Sequence, residues 1–150
     1  FVRYLHLDLK LNVQLRRILG WEVTNDVIRV SQRDTFLEFG RRANEKFLNG
    51  IKELSLNSNV IIVLDGDRAA IYSGLKERNA KKPVNILFNE LGKSAKTIAN
   101  IDVIDLHKIF RNDYAINSER FNYDYDYHWN EHGHAVAGQA LTDKLRRIGY

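Results

Sequence analysis

The residues with the clearest chemical potential surround His128. It follows Asp126 by two positions, in the acidic and aromatic run Tyr123-Asp124-Tyr125-Asp126-Tyr127-His128-Trp129. Asn130 is a good N-cap, so we expect a helix to begin near Glu131. A loop that delivers a histidine just before a helix holds one side of the ring and exposes the other. A neighbouring Asp can orient the imidazole, which is the arrangement of a general base.

This segment resembles a conserved block of a known enzyme family. The run from Asp126 to His134, Asp-Tyr-His-Trp-Asn-Glu-His-Gly-His, is similar to the D-x-x-H-P-N-x-x-G-H pattern that precedes the C-terminal helix of SGNH (GDSL-type) hydrolases. The matching positions are His128, Asn130, Gly133 and His134. Trp129 replaces the Pro of the pattern, and Tyr125 stands where the pattern has Asp. Asp126 instead lies at the D-x-H-W spacing of carbohydrate O-acetylation branches of that superfamily.

The resemblance implies a Ser-His-Asp triad that acts on an acyl ester. His128 would be the general base and then the general acid, and Asp126 would orient its ring, with Asp124 as the second candidate for that role. It also implies an α/β fold, a three-layer parallel sheet flanked by helices of the SGNH-hydrolase or flavodoxin-like type. We therefore expect a serine esterase or O-acyl transferase whose partner is a small-molecule or glycan acyl ester.

The sequence motifs that would carry the nucleophilic serine of such an enzyme are absent from this chain. A serine hydroxyl must reach the imidazole, and backbone donors must face the developing oxyanion. The chain has no G-D-S and no G-x-N-D; the turn Asp65-Gly66-Asp67-Arg68 carries Arg where the block would have Ser, and it lies too near His128 in sequence. Two alternatives stay open. The nucleophile lies upstream of Phe1 in a longer gene product, which the missing initiator Met favours, or the chain is an inactive carbohydrate-binding or scaffold domain.

Trp129 and Arg68 are the candidates for substrate contacts. Trp129 and the tyrosines beside it offer flat apolar faces that suit sugar rings, although the same rings could seal the loop against the core. Arg68 follows a buried strand, where it could face a substrate or form a structural ion pair.

A metal site is the competing interpretation of the histidines. Four potential ligands fall within nine residues: Asp126, His128, His132 and His134. A helix that starts near Glu131 would orient them differently, and the HExxH spacing is absent, so we predict neither a metal nor a cofactor. For His132 we expect a solvent-exposed position in the first helical turn, and for His107 a hydrogen-bonded position at the end of a strand.

The elements that must position these residues alternate between helix and strand. Val60–Leu64 is a continuous apolar run rich in β-branched residues, typical of a parallel strand covered on both faces. The other predicted elements are a helix over Val2–Leu19, a short strand around Val27–Val30, a helix over Thr35–Leu54, partial helix within Ala69–Asn79, a strand at Asn85–Phe88 or a helix from there to about Asn100, a strand over Ile101–Leu106 and the helix after Asn130. This order indicates one α/β domain over residues 1–150 with a parallel sheet.

Composition restricts the classes of function further. The 150 residues are 44% hydrophobic and 28% charged, which is enough for one core. Cysteine is absent, so thiolate chemistry is excluded, and no apolar run reaches the length of a membrane span. The net charge is +4, but the basic pairs are dispersed among acids, which argues against a nucleic-acid partner. The sequence indicates neither a compartment nor an oligomeric state.

Overall fold

The computed structural model describes residues 30–150, with side chains from residue 33 onward. Within this part the elements are α1 (Val30–Ser55), β1 (Val60–Leu64), α2 (Arg68–Tyr72), α3 (Pro83–Ala95), β2 (Ile101–Asp105), α4 (Leu106–Asn117) and α5 (Glu131–Arg147). The predicted helix over Val2–Leu19 lies outside the described residues. So does the predicted strand around Val27–Val30, except for Val30 itself, where α1 begins.

The two described strands form a parallel pair. Val60 lies opposite Ile101 and Leu64 lies opposite Asp105, so the carboxyl ends of both strands meet at one edge. Strand β1 has the predicted bounds, and β2 ends one residue before the predicted Leu106. The mixed α/β class is therefore confirmed for residues 30–150.

Helices cover both faces of this pair because successive side chains of a strand point to opposite sides. Ile62 and Leu64 pack in a cluster with residues of α1 and α3. Ile61 and Val63 pack on the other face, in a cluster that contains Phe110 of α4 and residues of α5. The apolar run of β1 is thus buried from both sides, as its composition predicts.

Helix α3 settles the alternative between strand and helix after Pro83. The proline occupies the first helical turn, where its missing N–H breaks no hydrogen bond, and the helix runs to Ala95. Helix α1 covers the predicted Thr35–Leu54 and extends it in both directions. Of the partial helix predicted within Ala69–Asn79, the structure shows only the short α2.

Helix α4 was not predicted, because its first residues follow the apolar pattern of β2 without a break. The side chain of Asp105, the last residue of β2, accepts a hydrogen bond from the backbone N–H of His107 at 2.9 Å and caps the helix. Leu106 and Phe110 are fully buried, and Tyr114 continues the same face. His107 is therefore the second residue of a helix and not the end of a strand. No described helix is long and apolar enough to cross a lipid bilayer.

Candidate functional site

A short hairpin presents His128. We call residues 121–130 the histidine hairpin. The N–H of Asn130 donates to the carbonyl of Phe121 at 3.0 Å, and the N–H of Tyr123 donates to the carbonyl of His128 at 3.4 Å. Asn122 and Trp129 form an isolated antiparallel bridge between these bonds. The aspartate and tyrosine residues between them therefore form the tip of an ordered turn.

The base of the hairpin is clamped to the start of α5. The side-chain oxygen of Asn130 accepts from the N–H of Gly133 at 2.9 Å, which confirms the predicted N-cap. The side-chain amide of Asn130 also donates to the carbonyl of Arg120 at 2.8 Å. A Cβ on Gly133 would lie 2.5 Å from the carbonyl oxygen of Phe121, so the helix approaches the hairpin as closely as only glycine permits. The Asn and Gly of the motif thus hold the hairpin against α5.

Asp126 contacts the ring of His128. Its Oδ2 lies 3.1 Å from Nδ1 of His128, and its Oδ1 accepts from the backbone N–H of His128 at 2.7 Å. An ionised carboxylate only accepts hydrogen bonds, so this contact favours the neutral tautomer with the proton on Nδ1 and the lone pair on Nε2. The His128 side chain is 59% exposed. An oriented, accessible imidazole of this tautomer can take a proton from a hydroxyl group.

Asp65 brings the other two predicted residues together. The indole N–H of Trp129 donates to Oδ1 of Asp65 at 3.1 Å, and Arg68 donates to Oδ2 at 3.1 Å. Burial raises the pKa of Asp65, while the charge of Arg68 and the indole hydrogen bond act in the opposite direction. Trp129 also packs its ring edge-on against Phe110, at 5.9 Å between centroids. Both residues therefore help to tie the hairpin to the end of β1, and their contact with a substrate stays a prediction.

A cavity of about 530 Å³ lies at the carboxyl ends of the strands, where open α/β sheets place their ligands. Three of the four predicted residues line it, namely Arg68, His128 and Trp129, together with Tyr127 from the hairpin tip. Asp126 is not in its wall and reaches the site through His128. A smaller cavity of about 380 Å³ lies between α1 and α3, and none of these residues lines it. The residues with chemical potential therefore converge on the larger cavity.

Asp67 organises a polar network in the wall of this cavity. Its carboxylate accepts from four donors, which are the N–H groups of Ala70 and Asn79, the ammonium of Lys82 and the side-chain amide of Asn85. Burial alone would raise the pKa of Asp67, but the hydrogen bonds, that of Lys82 foremost, outweigh it and lower the pKa. The network fixes the turn after β1.

His107 completes this network from α4. Its Nδ1 accepts a hydrogen bond from the backbone N–H of Asp67 at 3.2 Å, so the proton of the neutral ring is on Nε2. Burial, reinforced by the charge of Arg78, lowers the pKa of His107. The hydrogen bonding expected of this histidine is therefore present at Nδ1, whereas Nε2 is buried without a hydrogen-bond partner among the described residues.

In the turn Asp65-Gly66-Asp67-Arg68, the N–H groups of the last three residues have acceptors within the protein. The N–H of Gly66 donates to the side chain of Asp65, that of Asp67 donates to His107, and that of Arg68 donates to the carbonyl of Gly66. These backbone donors are therefore not directed at a substrate oxygen. This geometry agrees with the rejection of the turn as a nucleophile block.

The prediction that His132 is solvent-exposed is wrong. Its Nε2 lies 2.7 Å from Oδ1 of Asp113, and only 17% of its side chain is exposed. The ring also stacks on Phe121, at 5.2 Å between centroids. His132 faces α4 and the base of the hairpin because α5 packs there with its first turn. Among the described residues, no group of three histidine, aspartate or glutamate side chains could hold a metal ion.

Among the cavity-wall residues that the sequence analysis did not single out are Arg78, Arg120 and Tyr72. Arg78 and Arg120 come from irregular segments rich in charged and polar residues, where nothing distinguishes them from solvated cations. Tyr72 accepts from the N–H of Phe121 at 2.9 Å and donates to Asn122 at 2.7 Å, and so it joins α2 to the hairpin. Their positions depend on contacts between residues far apart in the chain, for which the sequence carried no signal.

The described part of the cavity wall contains no serine or threonine. Comparison of the chain with protein-family models, with curated proteins and with solved structures gave no significant match.

Proposed function

We propose that this chain is the histidine-bearing part of an SGNH-type serine esterase or O-acyl transferase that acts on an acyl ester. The observation that carries the proposal is the Asp126–His128 pair, which an ordered hairpin holds beside the cavity. The three-layer SGNH fold belongs to the same proposal.

In this reaction His128 would move the proton. Its Nε2 would take the proton of the attacking serine hydroxyl as the serine oxygen bonds to the acyl carbon. The same nitrogen would then give that proton to the departing alkoxide of the ester. Asp126, 3.1 Å from Nδ1, would keep the tautomer correct and stabilise the imidazolium while it exists. An acceptor alcohol or water would repeat the sequence in reverse to release the acyl group.

The position of the pair supports this role. Parallel strands β1 and β2 end at the edge where the cavity lies, and helices flank both faces of the pair. The Asn130 cap and the close approach of Gly133 hold the hairpin from one side, and Trp129 holds it from the other through Asp65. A base carried on a hairpin that is fixed at three points needs less reorganisation during the reaction than one on a loose loop.

A second candidate function follows from the wall of the cavity. Because its described part offers no serine or threonine, the nucleophile would come from another part of the protein. If none does, the domain is a carbohydrate-binding or scaffold module in which Tyr127 and Trp129 contact the sugar and His128 has no catalytic role.

The test is labelling of the natural gene product that contains this chain with a fluorophosphonate, followed by mass spectrometry of the adduct. We would compare the unchanged protein with His128→Ala, Asp126→Asn and Tyr125→Ala. Tyr125 is the matched control, because it lies at the same hairpin tip, is 81% exposed and does not line the cavity.

We expect one labelled serine, loss of labelling in His128→Ala, slower labelling in Asp126→Asn and an unchanged rate in Tyr125→Ala. Labelling that survives in His128→Ala would remove His128 from the reaction. A folded protein with no labelled serine would establish the binding module instead.

A further inference from the structure

The cavity wall contains more positive than negative charge. Four of the described lining residues are cationic, namely Arg68, Arg78, Lys82 and Arg120, and two are acidic, namely Asp65 and Asp67. Lys82 pairs with Asp67 at 3.1 Å and Arg68 pairs with Asp65 at 3.1 Å. Arg78 pairs with Asp105 beside the cavity, so among the described lining cations only Arg120 forms no ion pair with a described carboxylate.

The cavity wall also has more unoccupied hydrogen-bond donors than unoccupied acceptors on its charged side chains. Both oxygens of Asp67 and both oxygens of Asp65 already accept hydrogen bonds. In contrast, Nη1 of Arg68 and Nε of Arg78 are buried without a partner among the described residues. The side chain of Arg78 is only 3% exposed and forms one ion pair, with Asp105 beside the cavity. Buried guanidinium donors without acceptors are costly, so a ligand that supplies anionic oxygens is favoured beside them.

Arg68, Arg78 and Arg120 line the same cavity as His128 and Trp129 of the histidine hairpin. Arg68 and Arg78 both act electrostatically on Asp65. Burial raises the pKa of Tyr72, and the charges of Arg68 and Arg120 both oppose that shift. The guanidinium carbon of Arg120 lies 5.1 Å from the centre of the Tyr72 ring, and this side chain is exposed at the rim. Arg68 shares Asp65 with Trp129, and Arg120 lies beside Tyr72, which hydrogen-bonds to the hairpin, so these two arginines adjoin the histidine hairpin.

An exposed aromatic ring stands at the same rim. Tyr127 lines the cavity and is 87% exposed, next to His128. A flat ring open to solvent suits the apolar face of a saccharide, and it would leave the charged substituents of the sugar to the arginines.

We propose that the cavity binds an anionic saccharide, whose carboxylate or phosphate group is held by Arg120 with Arg68 and Arg78 while a sugar ring stacks on Tyr127. In the esterase or acyl transferase reaction proposed above, this saccharide would be the alcohol part of the ester. That role rests on the proposed function.

The test is isothermal titration of the full chain with three probes. Trigalacturonate supplies carboxylates, glucose 6-phosphate supplies a phosphate, and maltotriose is the neutral comparison. The variants are Arg120→Gln, Tyr127→Ala and the control Arg146→Gln, which removes one exposed cation at the end of α5, outside the cavity wall. Arg120 and Tyr127 are exposed, so neither substitution disturbs the core.

We expect at least one anionic probe to bind about tenfold more tightly than maltotriose, the advantage expected of charge-assisted hydrogen bonds. Arg120→Gln should remove most of that advantage, Tyr127→Ala should weaken all saccharides, and Arg146→Gln should change nothing beyond about twofold. Whichever anionic probe binds identifies the charged group.

Equal binding of neutral and anionic probes, no binding of either anionic probe, or an equal loss in Arg146→Gln and Arg120→Gln would overturn the proposal. Tighter binding of a single-stranded oligonucleotide than of any saccharide would also overturn it, in favour of a nucleic-acid ligand. Titration measures binding and needs no turnover. Saccharide binding without serine labelling would therefore support this binding site and refute only the esterase proposal.

Discussion

Replacement of Gly133 by Ala tests whether the histidine hairpin depends on its close approach to α5. The added Cβ would lie 2.5 Å from the carbonyl oxygen of Phe121 and 3.1 Å from Cβ of Trp129. Neither contact is with the flexible end of a side chain, and Phe121 is fully buried. The overlap must therefore be relieved by movement of the backbone, of α5 or of the hairpin.

The expected magnitude follows from two opposing effects. Forcing a methyl group into a packed site costs about 1–3 kcal/mol, and the upper part of that range applies because backbone must move. Ala is favoured over Gly in a helix by about 1 kcal/mol. Gly133→Ala should therefore lower the free energy of unfolding by about 2 kcal/mol.

Gly138 provides the matched control. It lies in the same helix, and a Cβ there would meet no atom within 4 Å. Gly138→Ala should raise the free energy of unfolding by about 0.5–1 kcal/mol. The two variants should thus differ by roughly 3 kcal/mol and, for a domain of this size, by roughly 6–12 °C in melting temperature.

Urea denaturation of both variants measures the difference, and NMR signals of the His128 ring report the local geometry. We expect the ring signals to shift in Gly133→Ala and to stay in place in Gly138→Ala. If Gly133→Ala is as stable as Gly138→Ala, the hairpin tolerates a wider separation from the helix, and the reasoning on this contact is refuted.

Three further substitutions test other parts of the site. Asn130→Ala removes the side chain that accepts from Gly133, so the free energy of unfolding should fall by about 1–2 kcal/mol; an unchanged urea midpoint would show that the cap is dispensable. His132→Ala breaks the contact with Asp113 and the packing beneath it, so we expect a loss of about 1–3 kcal/mol by the same assay, whereas a loss below about 0.5 kcal/mol would indicate a solvated histidine. The folded-state pKa of His107 lies below its ordinary value of 6.5, so its contribution to stability is fully present above pH 6.5. That contribution should decrease as the pH falls from 6.5 towards the folded-state pKa, because only the unfolded chain takes up the proton readily. His107→Asn should flatten this part of the stability profile, and an equal slope in both proteins would contradict the assignment.

Local sequence predicted β1 with its bounds, β2 to within one residue, and the immediate surroundings of His128. The β-branched run Val60–Leu64 predicted a strand covered on both faces, since such a run has no polar face to present to water. The N-cap at Asn130 and the contact between Asp126 and His128 were also predictable. Contacts between residues two to four positions apart depend on backbone geometry that the local conformation already specifies.

The remaining features of the site required tertiary structure. Helix α4 was missed because Leu106 and Phe110 continue the apolar pattern of β2, and only packing decides where the strand ends. Trp129 meets Asp65 across 64 residues of sequence, and His107 meets the backbone of Asp67 across 40.

The sequence by itself thus identified the imidazole of His128 and its orientation by Asp126, because both depend only on neighbouring residues. The tertiary structure decided that the hairpin is anchored to β1, that His132 is half-buried against Asp113, and that Arg78 and Arg120 adjoin the same cavity. These outcomes depend on how helices pack on the strands, because the partners are brought together by burial of apolar faces and not by their spacing in the chain.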